Sequence, residues 1–409
     1  MEALRFDDLF AAIEGSAAAF RCRRRLQPAG GPGDKVFPPT FAGGDYAFEK
    51  RVVPGRDQPV DCVLMDSVQS QANRMELALQ EACDAGAIAL PLLVVDFSDY
   101  DPVDNSAGDG AGDRLIESVG RLTSLEVPHR LADAILRDSE LAGVRFRHSI
   151  VGKALNSVRV SNATALFELC PTALVFGMWD STGPKGGLGP KFERALVSEM
   201  VGVGAVWEDT FRSRGLRRDP LEISKVVSVV RGEDRSLLRV AAAKESGAVR
   251  PSEINHSNVP FDVRNSGLTV EWVEQTTTLS LICLRRLRFP LDGRTDAAID
   301  ARARAVLAAL GLAAATLAFE AGVDLRSRCV LWPEGAMVWE LLERPGETPR
   351  SFALSPTSAI SLLGEAVAAA RAVGLPWNTE PIVLKPSAEL VKLVRLSQLE
   401  AARESVEAL

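Results

Sequence analysis

Apolar residues recur along most of the chain at the spacing of helices or strands that bury one side. From Ser67 onward, apolar positions fall three, four and seven residues apart, which predicts a helix with one core-facing side. Residues 297–319 are rich in alanine and leucine and predict a long helix, with Gly311 as a candidate break. Further helices are predicted at 3–20, 128–141, 156–169, 360–373 and 387–406.

Shorter runs rich in Val, Ile, Leu and Thr predict strands. Residues 329–342 predict a hairpin that turns at 333–335. Because helices and strands alternate irregularly along the chain, we predict an α+β fold. The predicted strands cover 46–53, 90–97, 145–152, 172–178, 221–230, 236–242, 268–273 and 276–287. Residues 62–65 are a short apolar run that ends at Asp66, a candidate helix cap.

The segment 183–191 has four glycines, two prolines and two lysines within nine positions. The apolar run before it predicts a buried strand, and the spacing of Phe192, Leu196 and Met200 after it predicts a helix. A glycine loop exposes backbone N–H groups, and a following helix would add the positive end of its dipole. Lys185, Lys191 and Arg194 would add formal charge. This pattern predicts an anion-binding loop.

The loop matches neither the P-loop pattern nor the dinucleotide-binding glycine pattern, so it indicates an anion without identifying which one. A mobile turn with glycines for backbone freedom is the alternative. On the predicted helix after Asp66, Ser67, Gln71 and Arg74 share one stripe and could hold a phosphate or a sugar without reading a base. The alternative there is the polar flank of an amphipathic helix.

The chain has 46% hydrophobic and 25% charged residues, as ordinary soluble globular proteins do. Its net charge of −7 argues against indiscriminate nucleic-acid binding. Arginines nevertheless cluster at 21–25 and at 212–218 without an acidic residue among them. Basic strips on an acidic protein fit an RNA held in a groove, and they equally fit a solvated surface.

The six cysteines are scattered and the three histidines show no ligand spacing. We therefore predict neither a disulfide framework nor a metal site, and no cofactor. No stretch shows the roughly 20 consecutive apolar residues of a membrane span, and acidic residues stand where a secretory signal would be basic. We expect a cytoplasmic protein without a membrane partner.

Three blocks of sequence resemble one known family. Residues 179–194 read Trp-Asp-Ser-Thr-Gly-Pro-Lys-Gly-Gly-Leu-Gly-Pro-Lys-Phe-Glu-Arg and are followed by Val-Ser-Glu at 197–199. With the blocks at 66–76 and 129–139, in the same order, they resemble the backbone subunit of the CRISPR type I-G (formerly I-U) Cascade surveillance complex. This is the Cas-seven family of the RAMP superfamily of guide-RNA-binding proteins. The blocks span roughly positions 60 to 205.

The resemblance implies an RRM-like (ferredoxin-like) palm sheet with helices on one face and large thumb and helical insertions. It implies a single RAMP-type domain over 1–409, with insertions at approximately 100–145 and a helix-rich part at 295–409. Copies would line up head to tail along a crRNA guide, which pairs with target DNA. Further implied partners are the large subunit and the subunit that caps the guide ends.

A guide-binding protein must hold any sequence, so contacts to phosphates and riboses are expected, with stacking if bases are touched at all. Only two tyrosines occur, which favours phosphate contacts over a base-stacking sheet. The predicted RNA-binding residues are Ser67, Gln71, Asn73, Arg74, Arg130, Arg137, Thr182, Gly183, Lys185, Gly186, Gly187, Lys191 and Arg194.

Catalysis is not expected. The chain has no supported Ser-His-Asp order, no H-E-x-x-H and no phosphoryl-transfer motif. Asp66 or Asp180 could be imagined as an RNA-cleaving aspartate by analogy with related RAMP proteins, but no motif supports either. The alternative from another class is a nucleotide- or phosphometabolite-binding enzyme that uses the 183–191 loop.

Overall fold

The computed structural model describes residues 1–41, 45–102, 114–183, 189–207, 212–213, 223, 226–231, 238–242, 245–251, 262–263 and 267–407. The chain divides into two compact units. The larger comprises residues 1–206 and 269–395, and the smaller comprises 207–268 and 396–409.

The helices are α1 (Phe6–Glu14), α2 (Val68–Asp84), α3 (Ala134–Arg137), α4 (Ile150–Asn156), α5 (Thr164–Leu169), α6 (Thr172–Phe176), α7 (Leu281–Arg285), α8 (Ala297–Phe319), α9 (Pro356–Arg371) and α10 (Ala388–Glu407). The strands are β1 (Glu2–Ala3), β2 (Ala19–Pro28), β3 (Phe48–Arg51), β4 (Val60–Asp66), β5 (Leu93–Asp96), β6 (Arg121–Thr123), β7 (Ser139–Leu141), β8 (Val144–Arg145), β9 (Met178–Trp179), β10 (Lys191–Phe192), β11 (Leu196–Val203), β12 (Arg212–Ser213), β13 (Val229–Arg231), β14 (Leu238–Val240), β15 (Asp262–Val263), β16 (Trp272–Ser280), β17 (Val323–Asp324), β18 (Val330–Pro333), β19 (Val338–Leu342), β20 (Arg350–Ala353) and β21 (Ile382–Pro386). This mixture of helices and mainly antiparallel sheets fits the predicted α+β class.

The main sheet of the larger unit has the strand order β1-β20-β19-β2-β16-β11-β4-β3, with β17 and β18 attached beside β2. The four strands β19, β2, β16 and β11 are antiparallel to their neighbours. In β16, buried and half-buried residues alternate because one side of the strand faces the helices. The strand ends where the Ser280 side chain accepts a hydrogen bond from the N–H of Cys283 and caps α7.

The predicted hairpin at 329–342 is wrong. Strands β18 and β19 both pair antiparallel with β2, through Trp332 opposite Gln27 and Leu341 opposite Phe20. The chain therefore continues along β2 instead of reversing, and the N–H of Glu334 still donates to the carbonyl of Arg25. The turn-forming residues at 333–335 interrupt a strand here, because β2 offers both segments a hydrogen-bonding partner.

A helical layer built around α8 covers the sheet. Helix α8 contacts α1, α2, α6, α7, α9 and β16, and α2 contacts β11. It runs unbroken through Gly311, where an added Cβ would lie 3.3 Å from the side chains of Leu279 and Val175. Glycine thus permits close packing of the helix on its neighbours, and the packing more than offsets its low helix propensity.

By length and composition, α8 could cross a membrane, which the sequence analysis did not anticipate. Its most apolar window is 78% buried inside the protein. A helix that is apolar all round and covered by other elements has the character of a core helix.

A second sheet in the larger unit has the order β6-β5-β21-β7-β8. Two predictions near it are wrong. The predicted helix at 128–141 is a 3-10 turn (Arg130–Ala132), the single-turn α3 and strand β7. The predicted strand at 145–152 is a 3-10 turn (Phe146–His148) followed by α4, which begins after Ser149 because that side chain accepts from the N–H of Gly152.

In the smaller unit, β12 pairs with β15 and β13 pairs with β14, both antiparallel. Strands β13 and β14 confirm in part the two strands predicted at 221–230 and 236–242. This unit was not predicted as separate from the rest of the chain.

Candidate nucleic-acid interface

The described residues on either side of the glycine-rich segment form an antiparallel hairpin of β9 and β10, and the predicted elements around the segment are wrong. The residues before it form helix α6 and those after it form strands β10 and β11. Strand β9 pairs with β10 through Trp179 opposite Lys191 and Met178 opposite Phe192. All five residues of α6 are buried, and a short apolar run that is buried on every side does not distinguish a helix from a strand. Strands follow the segment where a helix was predicted, so the predicted contribution of a helix dipole is wrong.

The base of the hairpin is fixed by a buried ion pair between Arg147 and Asp180. Nη1 and Nη2 of Arg147 lie 2.8 and 2.9 Å from the two carboxylate oxygens of Asp180. The N–H of Asp180 donates to the carbonyl of Pro190 on the returning strand, over 3.0 Å. A Cβ added at Gly183 would lie 2.4 Å from Oδ2 of Asp180, so this position needs glycine. The aspartate considered as a cleaving residue is thus enclosed and paired.

A second buried ion pair, between Arg130 and Glu76, contacts the backbone just before β9. Arg130 donates from Nε and Nη2 to the carboxylate of Glu76 over 2.6 and 2.7 Å, and from Nη1 to the carbonyl of Gly177 over 3.0 Å. Arg130 adopts a positive φ of 51°, a conformation that its buried contacts enforce. Burial raises the pKa of Glu76 to about 7, although the charge of Arg130 opposes that rise.

Within the predicted stripe on α2, Gln71 faces the interior, whereas Ser67 and Arg74 are half-buried. Gln71 is fully buried and accepts hydrogen bonds from Ser198 and Gln275 over 2.8 and 2.9 Å, and its amide donates to Asp66. An RNA backbone cannot reach such a side chain, so Gln71 is not retained among the proposed contacts. The same holds for Arg130, which is 7% exposed.

The other residues of that stripe also have roles inside the fold. Ser67 caps α2 by accepting from the N–H of Ser70 over 3.3 Å. Arg74 donates to Asp66 over 2.9 Å and to the carbonyls of Asp324 and Leu325 over 3.1 and 3.2 Å. These contacts join α2 to the segment that follows α8.

The remaining predicted RNA-binding residues differ in their exposure to solvent. Asn73, Thr182, Lys191 and Arg194 are exposed and Gly183 is half-buried. Arg137 donates to its neighbour Asp138 from Nε and Nη2 over 2.9 and 2.7 Å. Lys185, Gly186 and Gly187 lie outside the described residues.

Two of the four arginines in the basic strip at 21–25 pair with carboxylates, and the other two contact uncharged groups. Arg21 and Arg23 pair with Glu340 and Glu274 over 2.8 and 3.0 Å. Arg24 is buried and bonds Gln275, and the guanidinium carbon of Arg25 lies 4.1 Å from the centre of the Trp272 ring. The strip at 212–218 lies largely outside the described residues.

A cation-lined cavity adjoins the hairpin. Four of the described residues that line it are cationic and none is acidic. The nearest counter-charges lie outside the lining: Glu193 pairs with Arg286 over 2.9 Å and Asp300 with Arg288 over 3.4 Å. The described lining residues are Val158, Arg159, Val160, Ser161, Gly189, Pro190, Lys191, Arg286 and Arg288.

Two features of this surface were not predicted from the sequence. Trp179 is 56% exposed on β9, and Nζ of Lys191 lies over its ring, 5.7 Å from the centre. Arg159 and Arg288 reach the cavity from segments that are distant in sequence. Trp179 could have been found as a tryptophan beside a glycine-rich tip, whereas the arginines carried no local signal.

Residues 20–206 match the model of the family described as CRISPR-associated protein GSU0053. The matched segment runs from β2 through the hairpin to just beyond β11 and is somewhat less than half of the 409 residues. No curated protein matches the chain. The similarity over this segment supports a CRISPR-associated protein with a role in CRISPR defence.

Proposed function

We propose that this chain is a guide-RNA-binding subunit of a CRISPR surveillance complex. The observation that carries the proposal is the β9–β10 hairpin, which flanks the glycine- and lysine-rich segment within the matched residues 20–206. The Arg147–Asp180 pair holds its base, and a cation-lined cavity adjoins it. Single-stranded RNA without sequence preference is held by cationic grooves and exposed aromatic rings. Both elements lie together on this surface, although the net charge of the chain is −7.

The arrangement of the main sheet supports an RRM-like palm. In chain order β2, α2, β11, β16, α8 and β19 follow the β-α-β-β-α-β succession of ferredoxin-like folds. Their strands are neighbours in the order β19-β2-β16-β11, with both helices in the layer that covers the sheet. In this interpretation β3 and β4 extend the palm, and residues 207–268 form an insertion between its second and third strands.

The proposed role is that of the backbone subunit of the Cas-seven family, type I-G. Copies would contact one another head to tail along a crRNA guide and hold it for pairing with target DNA, together with the large subunit and the guide-end-capping subunit. The proposed subunit acts in the cytoplasm and leaves cleavage to a partner. Head-to-tail contacts of this kind propagate along the guide instead of closing into a ring.

Co-expression with a CRISPR array tests the proposal. We expect the purified protein to carry nucleic acid, seen as a raised ratio of absorbance at 260 and 280 nm, and sequencing should identify array-derived RNA. If each subunit neutralises about four phosphates, the logarithm of the binding constant should fall with the logarithm of salt concentration with a slope of roughly −3. Protein that is free of RNA under these conditions would contradict the proposal.

A thermal-shift assay with ATP, NAD and a short single-stranded RNA tests the alternative. We expect only the RNA to raise the melting temperature, because a ligand stabilises the folded state that binds it. Stabilisation by a nucleotide and not by RNA would favour the nucleotide-binding enzyme.

A further inference from the structure

The exposed ring of Trp179 and the cation-lined cavity form a continuous surface through Lys191. The side chain of Lys191 lines the cavity and also places its ammonium group over the Trp179 ring. The β9–β10 pairing sets this arrangement, because directly opposed residues of an antiparallel pair project to the same face. The pair stands next to the ion pair of Asp180 with Arg147, which holds the hairpin base in place.

Trp179 presents a large aromatic ring at the surface. A ring that is 56% exposed contributes little to the core, and Lys191 over it leaves more than half of the side chain open. Every nucleic-acid base has an aromatic face that can stack on such a ring, whatever the sequence. A stacked base would add to the cation–π contact that the ring already makes.

The cavity supplies the charge for a phosphate. Arg159 is exposed, and no carboxylate among the described residues pairs with it or with Lys191. Arg286 is paired with Glu193, but both side chains are more than half exposed, which makes the pair weak and easily exchanged. Arginine donors in a fork suit phosphate oxygens. Another cavity of the larger unit, lined by Arg137, Arg145 and Glu389, mixes both signs.

We propose that this surface is a nucleotide subsite for single-stranded RNA, in which one base stacks on Trp179 and a neighbouring phosphate occupies the cavity at Arg159 and Lys191. The inference rests on the proposed function and names the chemical unit bound at that site. Stacking is independent of base identity, so the subsite would take any nucleotide. A base inside a duplex is already stacked on both faces, so the subsite would require an unpaired base.

The test compares two labelled probes on the full chain: a single-stranded oligoribonucleotide and a ribose-phosphate oligomer of equal length that lacks bases. Trp179→Ala should weaken binding of the oligoribonucleotide by roughly 5- to 150-fold and leave the abasic oligomer unchanged, because only the first has rings to stack. Trp179→Phe should retain part of the affinity. Trp332→Ala is the matched control, since Trp332 on β18 is 63% exposed. Among the described residues, no cation lies over its ring as Lys191 lies over the ring of Trp179.

Arg159→Ala should act differently. It should weaken both probes and reduce the magnitude of the log–log salt slope by about 0.7, the value of one phosphate contact on a single strand. Lys392→Ala, which removes an exposed cation that does not line the cavity, should leave the slope unchanged.

The subsite is overturned if the unsubstituted chain binds RNA and Trp179→Ala binds it equally well, or if that variant loses both probes to the same extent. Equal salt slopes for Arg159→Ala and the unsubstituted chain would contradict the placement of a phosphate in the cavity. Failure of the unsubstituted chain to bind either probe would instead overturn the proposed function, and the subsite with it.

Discussion

Arg147 and Asp180 form a bidentate ion pair at the base of the hairpin, with both N···O distances below 3 Å and both side chains at least nine-tenths buried. Arg147 also donates to Asn156 at the end of α4, over 3.2 Å. The pair therefore links α4 to the strand that carries Trp179. The strands that flank the glycine-rich segment are thus held at their base by a buried ion pair.

Removing one member of this pair should destabilise the protein strongly. Arg147→Ala leaves the Asp180 carboxylate buried without its partner, and we expect a loss of about 3–5 kcal/mol in the free energy of unfolding. Urea denaturation measures this loss. The double variant Arg147→Met, Asp180→Leu replaces the pair with apolar groups and should recover much of the stability. A loss below about 1 kcal/mol for Arg147→Ala would show that the pair is not needed at the hairpin base.

The lysines of the hairpin should matter for RNA and not for folding. Lys185→Glu combined with Lys191→Glu should abolish RNA association in a filter-binding assay, because two attractive contacts become repulsive. Since Lys191 is exposed, we expect its substitution to change the free energy of unfolding by no more than about 0.5 kcal/mol. The matched control is Lys153→Glu with Lys392→Glu, two exposed lysines away from the cavity lining. Unchanged RNA binding would exclude Lys185 and Lys191 from the interface.

Substitution of two amide side chains on α2, Gln71 and Asn73, should affect the free energy of unfolding very differently. Gln71→Ala removes one buried hydrogen-bonding partner each from Ser198, Gln275 and Asp66, and we expect a loss of about 1–3 kcal/mol in the free energy of unfolding. The exposed Asn73→Ala should stay within about 0.5 kcal/mol of the unsubstituted chain. Chemical denaturation separates the two variants. A Gln71→Ala protein of normal stability that bound RNA poorly would contradict the interior role of Gln71.

The carboxyl of Glu76 should make stability depend on pH. Burial raises its pKa from 4.5 to about 7, so the folded protein retains a proton there that the unfolded chain releases. Its contribution is full below pH 4.5 and decreases as the pH rises toward 7, by up to about 3 kcal/mol. Urea midpoints at pH 5, 6 and 7 should therefore fall more steeply for the unsubstituted chain than for Glu76→Gln. Parallel pH profiles would show that Glu76 does not titrate in this range.

Long periodic segments were predictable from the sequence. Helix α8 has the predicted bounds, and α2, α9 and α10 lie where the apolar spacing indicated. The segments around the hairpin were not. The spacing of Leu196 and Met200 fits a helix, but these residues are on a strand because β4 and β16 flank it on both sides. Local periodicity carries no information about partners that are distant in sequence.

Of the candidate site, only the glycine-rich loop could be predicted from the sequence. The glycine-rich tip was identified from composition, whereas its cation-lined neighbour depends on Arg159 and Arg288, which the fold alone brings together. Conversely, Gln71 and Arg130 looked like surface contacts because a buried polar network has no sequence pattern of its own.

Strand β2 pairs with β16, β18 and β19, and every one of these partners comes after residue 269. As the chain leaves the ribosome, β2 must remain without these partners until roughly 250 further residues have been synthesised, since contacts of such sequence separation form late. A fragment ending at residue 206 would leave both edges of β2 open to association with other chains. The stretch that resembles CRISPR-associated proteins thus depends on the second half of the gene product to complete its sheet.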